Sequence, residues 1–458
     1  MKKRYDFEYI IIGGGPAGIA TALTLAKSKK RIAIIEKNHL GGTNINDSDL
    51  PFSEALDFSH SLYKLRHSPN FKTENYEPDF SKVLKNRNAF IKNSRANLAE
   101  ILKANGIAHI EGEATFLDPH TISLKNHQLT SETFILATGS KLKTNNIIGT
   151  DSVNFLTPKD IVKLDRLPKI ILVIGGGPTG CEITSYLAEL GVKVILMESE
   201  KHLLPNEDKE ISDTISEYFK NELNVIVLPN SKVLEIKNEK NTKQVVFKTG
   251  RSEKSIHINN IVLATGYEPI LDYDLKQAKV KFTDSGILVD HYFKTSAKNI
   301  YAVGDAIKNA FPDSSTLRSD YEGTFLAINL LNKSKNLINY DGFCRTIKTY
   351  PKVVSVGPTE EDLKKAHRSY KKSVIHFKNI LDKPLLNSEY GFVKLIADRS
   401  NRLIAGSVVS PNADELAAEL SLIIRHHLPA VELASTPHSF DNYSYALKLA
   451  AKKLLAKK

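Results

Sequence analysis

One pattern occurs twice in this chain and limits what it can fold into. Tyr9-Ile10-Ile11-Ile12 runs into Gly13-Gly14-Gly15-Pro16-Ala17-Gly18, and a helix-compatible stretch leads on to Arg31-Ile32-Ala33-Ile34-Ile35-Glu36. Ile170-Ile171-Leu172-Val173-Ile174 runs into Gly175-Gly176-Gly177-Pro178-Thr179-Gly180, and this copy closes on Val192-Lys193-Val194-Ile195-Leu196-Met197-Glu198. Each copy reads as a β-branched strand, a glycine turn, an amphipathic helix and a second strand ending in an acid. Strand–helix–strand units set their strands parallel, so the expected fold class is α/β, with two Rossmann-type domains.

The glycine spacing has a physical reading. Gly13 and Gly175 permit a tight turn out of the strand, and Gly15 and Gly177 let backbone N–H groups approach a pyrophosphate with no Cβ in the way. Gly18 and Gly180 let the helix lie close to the strand, its positive end towards the diphosphate. Glu36 and Glu198, each about 20 residues on, are placed to accept hydrogen bonds from a ribose 2′-OH. Two complete copies imply two bound dinucleotides. A carboxylate at Glu198 repels a 2′-phosphate, and Ser199-Glu200-Lys201 supplies no arginine, so NADH is expected over NADPH. Lys201 and His202 leave some reach to a phosphate open.

Composition narrows the class. At 458 residues the chain has room for about three folding units. With 41% hydrophobic and 25% charged residues it is neither disordered nor fibrous. Two cysteines, Cys181 and Cys344, cannot frame a secreted disulfide scaffold, and buried packing is the expected role of both. No apolar run is long enough to span a membrane. Met1-Lys2-Lys3-Arg4 opens like a signal peptide, but Tyr9–Ile12 is too short for its apolar core, so a cytoplasmic protein is expected. The net charge of +11 thickens at Lys364, Lys365, Arg368, Lys371 and Lys372, and again from Lys448 to Lys458. Without aromatic interleaving or a nucleic-acid motif, a solvated lysine-rich surface is preferred over nucleic-acid or anionic-membrane binding.

Further motifs run along the chain: Gly41-Gly42-Thr43, Ala137-Thr138-Gly139-Ser140, Ala264-Thr265-Gly266, Ile300-Tyr301-Ala302-Val303-Gly304-Asp305, Val356-Gly357-Pro358-Thr359-Glu360 and Gly406 to Ala413. With the two cradles, they make the sequence resemble the FAD-dependent pyridine nucleotide–disulfide oxidoreductases, the family of dihydrolipoamide dehydrogenase, glutathione reductase and soluble transhydrogenase. The resemblance implies FAD at Gly13, Gly15, Gly18, Glu36, Gly42, Thr43, Ala114, Thr138, Gly139 and Asp305. It implies a nicotinamide dinucleotide at Gly175, Gly177, Gly180, Glu182, Glu198, Val233 and Gly266, with Glu182 near flavin and nicotinamide. It also implies a homodimer through a C-terminal α+β dimerisation domain. The other reading of Asp305 is a helix N-cap after a glycine turn.

The departures concern chemistry. Where the family carries a CxxxxC redox pair, Asn44 and Asp49 stand in the cysteine positions, and Ser53 takes the place of the lysine that partners Glu182. Where the family carries an HPTxxE motif, Thr436 replaces the base and Asp441 the glutamate that orients it. Thiol–disulfide exchange needs a thiolate and a second sulfur, and neither Asn nor Asp supplies either. Asp47 and Asp49 are read as part of a turn and N-cap before Pro51 in preference to proton donors. His438 is read as structural in preference to a relocated acid. His426-His427 lacks further ligands, so no metal site is expected.

The expected domains are an FAD domain at 1–146 and 266–336, an NAD(P) domain at 147–265 and a dimerisation domain at 337–458. Ser59–Asn105 is expected to be helical, and Ala446–Lys458 to be an amphipathic helix with Leu447, Leu454 and Leu455 inward. The expected function is an FAD-dependent NAD(P)H oxidoreductase. It would pass electrons from NADH through flavin directly to a small non-disulfide acceptor: a quinone, oxygen, a metal species or another nicotinamide. The alternative is a catalytically retired flavin-binding paralogue serving as scaffold or sensor.

Overall fold

The computed structural model describes residues 4–47, 49–67, 78–125, 127–144, 147–308, 315–380, 390–440 and 442–456. The Asp49 side chain, Asp441, Lys457 and Lys458 lie outside the described residues. The chain gathers into two units. The first takes residues 1–54, 77–143 and 266–339, and the second 55–76, 144–265 and 340–458. The second thus holds together the stretches expected as the NAD(P) and dimerisation domains.

In the first unit, parallel strands run in the order Ile107–Glu111, Ile32–Glu36, Phe7–Ile12 and His127–Leu136, with Ile300–Ala302 also parallel to the last. Thr121–Leu124 and Ala114–Asp118 extend the sheet antiparallel. Ile10, Ile11, Ile34, Ile35, Phe134 and Ile135 are fully or almost fully buried, as strands covered on both faces require. Helix Pro16–Leu25 packs against helix Thr316–Asn332 backbone to backbone: a Cβ on Gly323 would stand 2.3 Å from the Ala17 carbonyl oxygen. The stretch before Pro51, expected as a turn, contains the short helix Gly42–Asn46. Helix Asp49–His67, whose residues from 55 onward belong to the second unit, and helix Phe80–Ala104 follow, the latter capped by the Asp79 side chain, which accepts the Lys82 N–H at 3.0 Å. The rest of the expected helical stretch, residues 68–77, lies outside the described residues.

The second unit contains a parallel sheet in the order Ile226–Leu228, Lys193–Met197, Ile170–Ile174 and Ile261–Leu263. It also contains a three-stranded antiparallel sheet, Ser231–Glu239, Thr242–Thr249 and Ser252–Ile258. Its C-terminal part is a five-stranded antiparallel sheet in the order Cys344–Ile347, Lys352–Val356, Leu403–Ser410, Phe392–Ala397 and Lys371–His376. Helices Ala413–Arg425 and Ser444–Ala456 share its apolar core. Two expectations need correction. Leu447 and Leu454 are buried but Leu455 is exposed, because seven residues return a helix to the same face and eight overshoot it; Ala446, Ala450 and Ala451 complete the buried stripe. Cys344 is only half-buried, whereas Cys181 is fully buried.

Candidate functional site

The two cradles are built alike. Gly13 and Gly175 both adopt φ +110°, and a Cβ on either would stand 2.2 or 2.3 Å from the carbonyl oxygen of Ala137 or Ala264, at the end of the neighbouring strand. A Cβ on Gly18 or Gly180 would fall 2.0 or 1.8 Å from the Gly13 or Gly175 carbonyl oxygen, so the third glycine of each set keeps the helix against its own turn. The middle glycines differ: a Cβ on Gly177 would meet nothing within 4 Å, and one on Gly15 only the Gly42 Cα at 3.9 Å.

The acids close the cradles from the second strand. Glu36 accepts the Gly14 N–H at 2.7 Å and the Asn38 N–H at 2.8 Å. Glu198, buried, accepts the Gly176 N–H at 2.6 Å, the Glu200 N–H at 2.7 Å and the Ser199 hydroxyl at 3.0 Å. Helices Pro16–Leu25 and Pro178–Glu189 start after Gly15 and Gly177 with no side-chain cap and proline in the first turn. Their first intrahelical N–H donors are Ile19 and Cys181, so by helix geometry the N–H groups of Ala17, Gly18, Thr179 and Gly180 precede the carbonyls that would satisfy them. An open middle glycine, uncapped N–H groups at a positive helix end and an acid at the end of the second strand fit a dinucleotide diphosphate in each cradle.

Around the first cradle, Gly42 lies so close that a Cβ there would stand 2.8 Å from the Gly15 Cα, and Thr43 follows on the same short helix. Thr138 donates its hydroxyl to the Ile270 carbonyl at 3.1 Å, and Gly139 accepts the Ile270 N–H at 3.0 Å. Ala114 is the buried first residue of its strand. Asp305 lies in a single 3-10 turn and caps no helix: its carboxylate accepts from Arg318 Nη2 at 2.8 Å and from Ser140 Oγ at 3.0 Å. Arg318 carries no signal in the glycine motifs; only its four-residue spacing from Glu322, within one helix, hints at a pair. Asn46, equally silent in sequence, donates to the His39, Leu40 and Gly42 carbonyls and accepts from Arg95 at 2.5 Å.

Around the second cradle, helix Pro178–Glu189 presents a polar row. Glu182 accepts the Lys348 N–H at 2.8 Å, Ser185 the Tyr350 N–H at 3.1 Å, and buried Glu189 the hydroxyls of Ser59 at 2.6 Å and Ser185 at 3.2 Å. A backbone amide thus meets Glu182 here. Cys181 donates to the Gly176 carbonyl at 3.3 Å, and burial pushes its thiol well above the usual range. Val233 is buried on the strand Ser231–Glu239. Gly266, at φ +89°, belongs to the first unit, where its carbonyl accepts the Lys143 N–H.

At the departures, Asn44 lies within the Gly42–Asn46 helix. Thr436 ends helix Ala430–Ser435, its hydroxyl donating to the Glu432 carbonyl at 2.7 Å. His438 faces acceptors with both ring nitrogens, the Thr436 carbonyl at 2.9 Å and Glu419 at 2.9 Å, so the ring ties its loop to helix Ala413–Arg425. His427 faces Asp341 at 3.3 Å. Among the described residues, the close carboxylate group Asp208, Glu210 and Glu360 surrounds the Lys394 ammonium.

The sequence matches the pyridine nucleotide-disulphide oxidoreductase family over residues 7–321 and that family's dimerisation domain over residues 344–451. It is similar to a mercuric reductase of Bacillus cereus, 27% identical over 97% of this chain and 71% of the relative. It is also similar to a dihydrolipoyl dehydrogenase of Bacillus subtilis (strain 168), 27% identical over 95% of this chain and 93% of the relative. Its fold matches that of the HOCl-induced flavoprotein disulfide reductase RclA from Escherichia coli, solved as a Cu(II) complex, with TM-score 0.87 and 22% identity over 99% of this chain and 100% of that one. No helix among the described residues is long and apolar enough to cross a membrane. The chain belongs to the pyridine nucleotide-disulphide oxidoreductase family and is an FAD-dependent NAD(P)H oxidoreductase.

Proposed function

We propose that this enzyme oxidises NADH and delivers the electrons from its flavin directly to a small non-disulfide acceptor, and that it is not a dithiol reductase. The observation that carries the reading is the pair of positions after Gly41-Gly42-Thr43, where Asn44 and Asp49 leave no sulfur to relay electrons. Cys181 is sealed in the second cradle and Cys344 sits on a strand far along the sequence. Thr436, which closes a helix end, has no group able to take up a thiol's proton at neutral pH.

In this reading the first cradle, with Glu36, Gly42, Thr43, Ala114, Thr138, Gly139 and Asp305, holds FAD, and the second, with Glu182, Glu198 and Val233, holds NADH. Bound flavin would supply the chemistry, taking two electrons as hydride from the nicotinamide and passing two electrons on to the acceptor. The chain's residues bind and orient. Glu198, fixed by three hydrogen bonds, presents a carboxylate to a ribose diol and repels a 2′-phosphate, which favours NADH. Glu182 accepts the Lys348 backbone amide. The match to a dimerisation domain, with Leu422, Val431 and Phe440 exposed in that region, supports a homodimer. The division into an FAD domain at 1–146 and 266–336, an NAD domain at 147–265 and a dimerisation domain at 337–458 belongs to the same reading.

The test is anaerobic rapid mixing of the purified holoprotein with NADH, followed by a screen of quinone, oxygen, metal-ion, nicotinamide and disulfide acceptors. Flavin bleaching close to stoichiometric, followed by reoxidation by a non-disulfide acceptor, is the expected result. Flavin that stays oxidised in excess NADH and NADPH would point to the retired paralogue. Brisk turnover with lipoamide or glutathione disulfide would overturn the non-disulfide reading.

A further inference from the structure

The C-terminal sheet carries a polar row across four of its strands. Arg345, Ser355, Ser407 and Lys394 stand opposite one another in the register of adjacent strands, so their side chains leave the same face. Along their own strands the two serines adjoin valine runs, Val353-Val354-Ser355-Val356 and Ser407-Val408-Val409. Ser355 is 4% exposed and Ser407 3%, and neither hydroxyl has a hydrogen-bond partner among the described residues. A buried hydroxyl left unbonded is costly, and two side by side point to something that satisfies both.

Their neighbours in the row do not supply the bond. The Lys394 ammonium has three protons and faces three carboxylates: Asp208 at 2.9 Å, Glu210 at 3.0 Å and Glu360 in contact. Arg345 turns its guanidinium to Glu207 at 2.9 Å and to the Gly357 carbonyl at 3.1 Å. Both serines instead line a cavity of about 10 Å³, with Glu207, Asp208, Arg345 and Lys394 around it. A single water needs roughly 10–15 Å³ of such space, so nothing larger fits. The ion pairs in the wall, Glu207 with Arg345 and Asp208 with Lys394, offset one another, which favours a neutral occupant over an ion of either sign.

We propose that this cavity is a binding site for one ordered water molecule, which bridges the Ser355 and Ser407 hydroxyls and donates to the Asp208 carboxylate. Directly opposed residues on adjacent strands have Cβ atoms about 4.5–5.5 Å apart, a separation that one water spans with a hydrogen bond at each end. Asp208 caps the start of helix Lys209–Asn221 and also accepts the Glu360 N–H at 2.8 Å. The water therefore joins the middle of the sheet to the turn that opens this helix.

The experiment combines a crystal structure of the full-length protein, at a resolution that shows ordered water, with urea unfolding of the parent, Ser355→Ala, Ser407→Ala and the double variant. One water peak within hydrogen-bond distance of both serine hydroxyls is expected. An empty cavity, or a peak whose anomalous signal follows rubidium or bromide soaked into the crystal, overturns the proposal. In unfolding, each alanine should raise the unfolding equilibrium constant about fivefold, by the net worth of a hydrogen bond. The double variant should lose less than the two singles together, because both serines share one partner. A dry cavity predicts the opposite sign: each alanine removes an unbonded buried hydroxyl, and stability holds or rises. That result also overturns the proposal. Should a variant fold too poorly to be measured, the crystal structure of the parent decides.

Discussion

Glu198 accepts the amide proton of Gly176 at 2.6 Å, so the acid at the end of one strand grips the glycine turn at the start of the unit. Glu36 makes the same bond to Gly14 at 2.7 Å. In both copies the other carboxylate oxygen takes the amide two residues after the acid, Asn38 or Glu200. The acid proposed to bind a ribose is therefore also the clasp that sets the shape of the loop, and the two roles can be separated by substitution.

Glu198→Gln keeps a side-chain acceptor for Gly176 but removes the charge, whereas Glu198→Ala removes both. With hydrogen bonds to charged groups worth about 1.5–3 kcal/mol, Glu198→Ala should raise the KM for NADH at least about tenfold. Glu198→Gln should change it less while narrowing the ratio of NADH to NADPH efficiency. Steady-state kinetics with both nucleotides check this; an unchanged ratio in Glu198→Gln would assign discrimination elsewhere.

Gly177 and Gly180 make a second contrast. A Cβ at 180 would fall 1.8 Å from the Gly175 carbonyl oxygen, so Gly180→Ala should lower the thermal midpoint sharply or prevent folding. A Cβ at 177 meets nothing, and Gly177 has φ −72°, which alanine adopts freely. Gly177→Ala should therefore melt close to the parent yet bind NADH at least about tenfold more weakly, because its methyl would stand where the diphosphate is proposed to approach. Melting curves paired with NADH titrations separate the two effects.

Thiol chemistry should be dispensable. The Cys181 thiol is fully buried and its ionisation is suppressed by burial, with the Glu198 and Glu182 charges adding to the effect. Iodoacetamide on the native protein should leave Cys181 unlabelled, label Cys344 at most, and leave NADH-dependent dye reduction unchanged; urea should expose both. Mass spectrometry of the labelled chain gives the count, and loss of dye reduction on labelling would restore a role to sulfur.

Local patterning carried the cradles. Gly13, Gly15 and Gly18 lie within six residues, the strands on either side are β-branched, and the same order recurs at Gly175, so spacing alone pointed to the turns where a Cβ added at Gly13, Gly18, Gly175 or Gly180 would stand about 2 Å from a carbonyl oxygen. Phase in a short helix was less legible, as Leu455 shows: one residue past Leu454 is a rotation of about 100°, enough to turn it to solvent. Partnerships between distant segments left no trace. Nothing near Asp305 announces Arg318, because the bond depends on how a helix docks beside a turn. Nothing around Asn46 announces Arg95, 49 residues away.

Lys394 is the extreme case, a lysine side chain with 0% exposure in the strand Phe392–Ala397, where sequence position alone would suggest a surface charge. Its ammonium lies 2.9 Å from Asp208, 3.0 Å from Glu210 and in contact with Glu360, while Lys372 joins Glu210 and Glu360 from the next strand. Burial pulls the Lys394 ammonium down, but hydrogen bonds to Glu360 and the charge of Asp208 outweigh it and hold it above the usual range. Burial pushes the Glu360 carboxyl up, yet hydrogen bonds from Lys372, Lys394 and Tyr370 bring it to about 2. A carboxyl held that low contributes stability that is complete above its unfolded value, near 4.5, and is lost as pH falls through about 2. Lys394→Met leaves Asp208, Glu210 and Glu360 facing one another, with Lys372 the remaining cation on Glu210 and Glu360 among the described residues, a loss of about 3–5 kcal/mol by the usual cost of stripping one partner from a buried pair. The variant should unfold at lower urea, and its acid-unfolding midpoint should move upward towards the ordinary carboxylate range. Circular dichroism followed from neutral pH to pH 2 checks both; an acid midpoint identical to the parent's would show that Lys372 alone holds the acids.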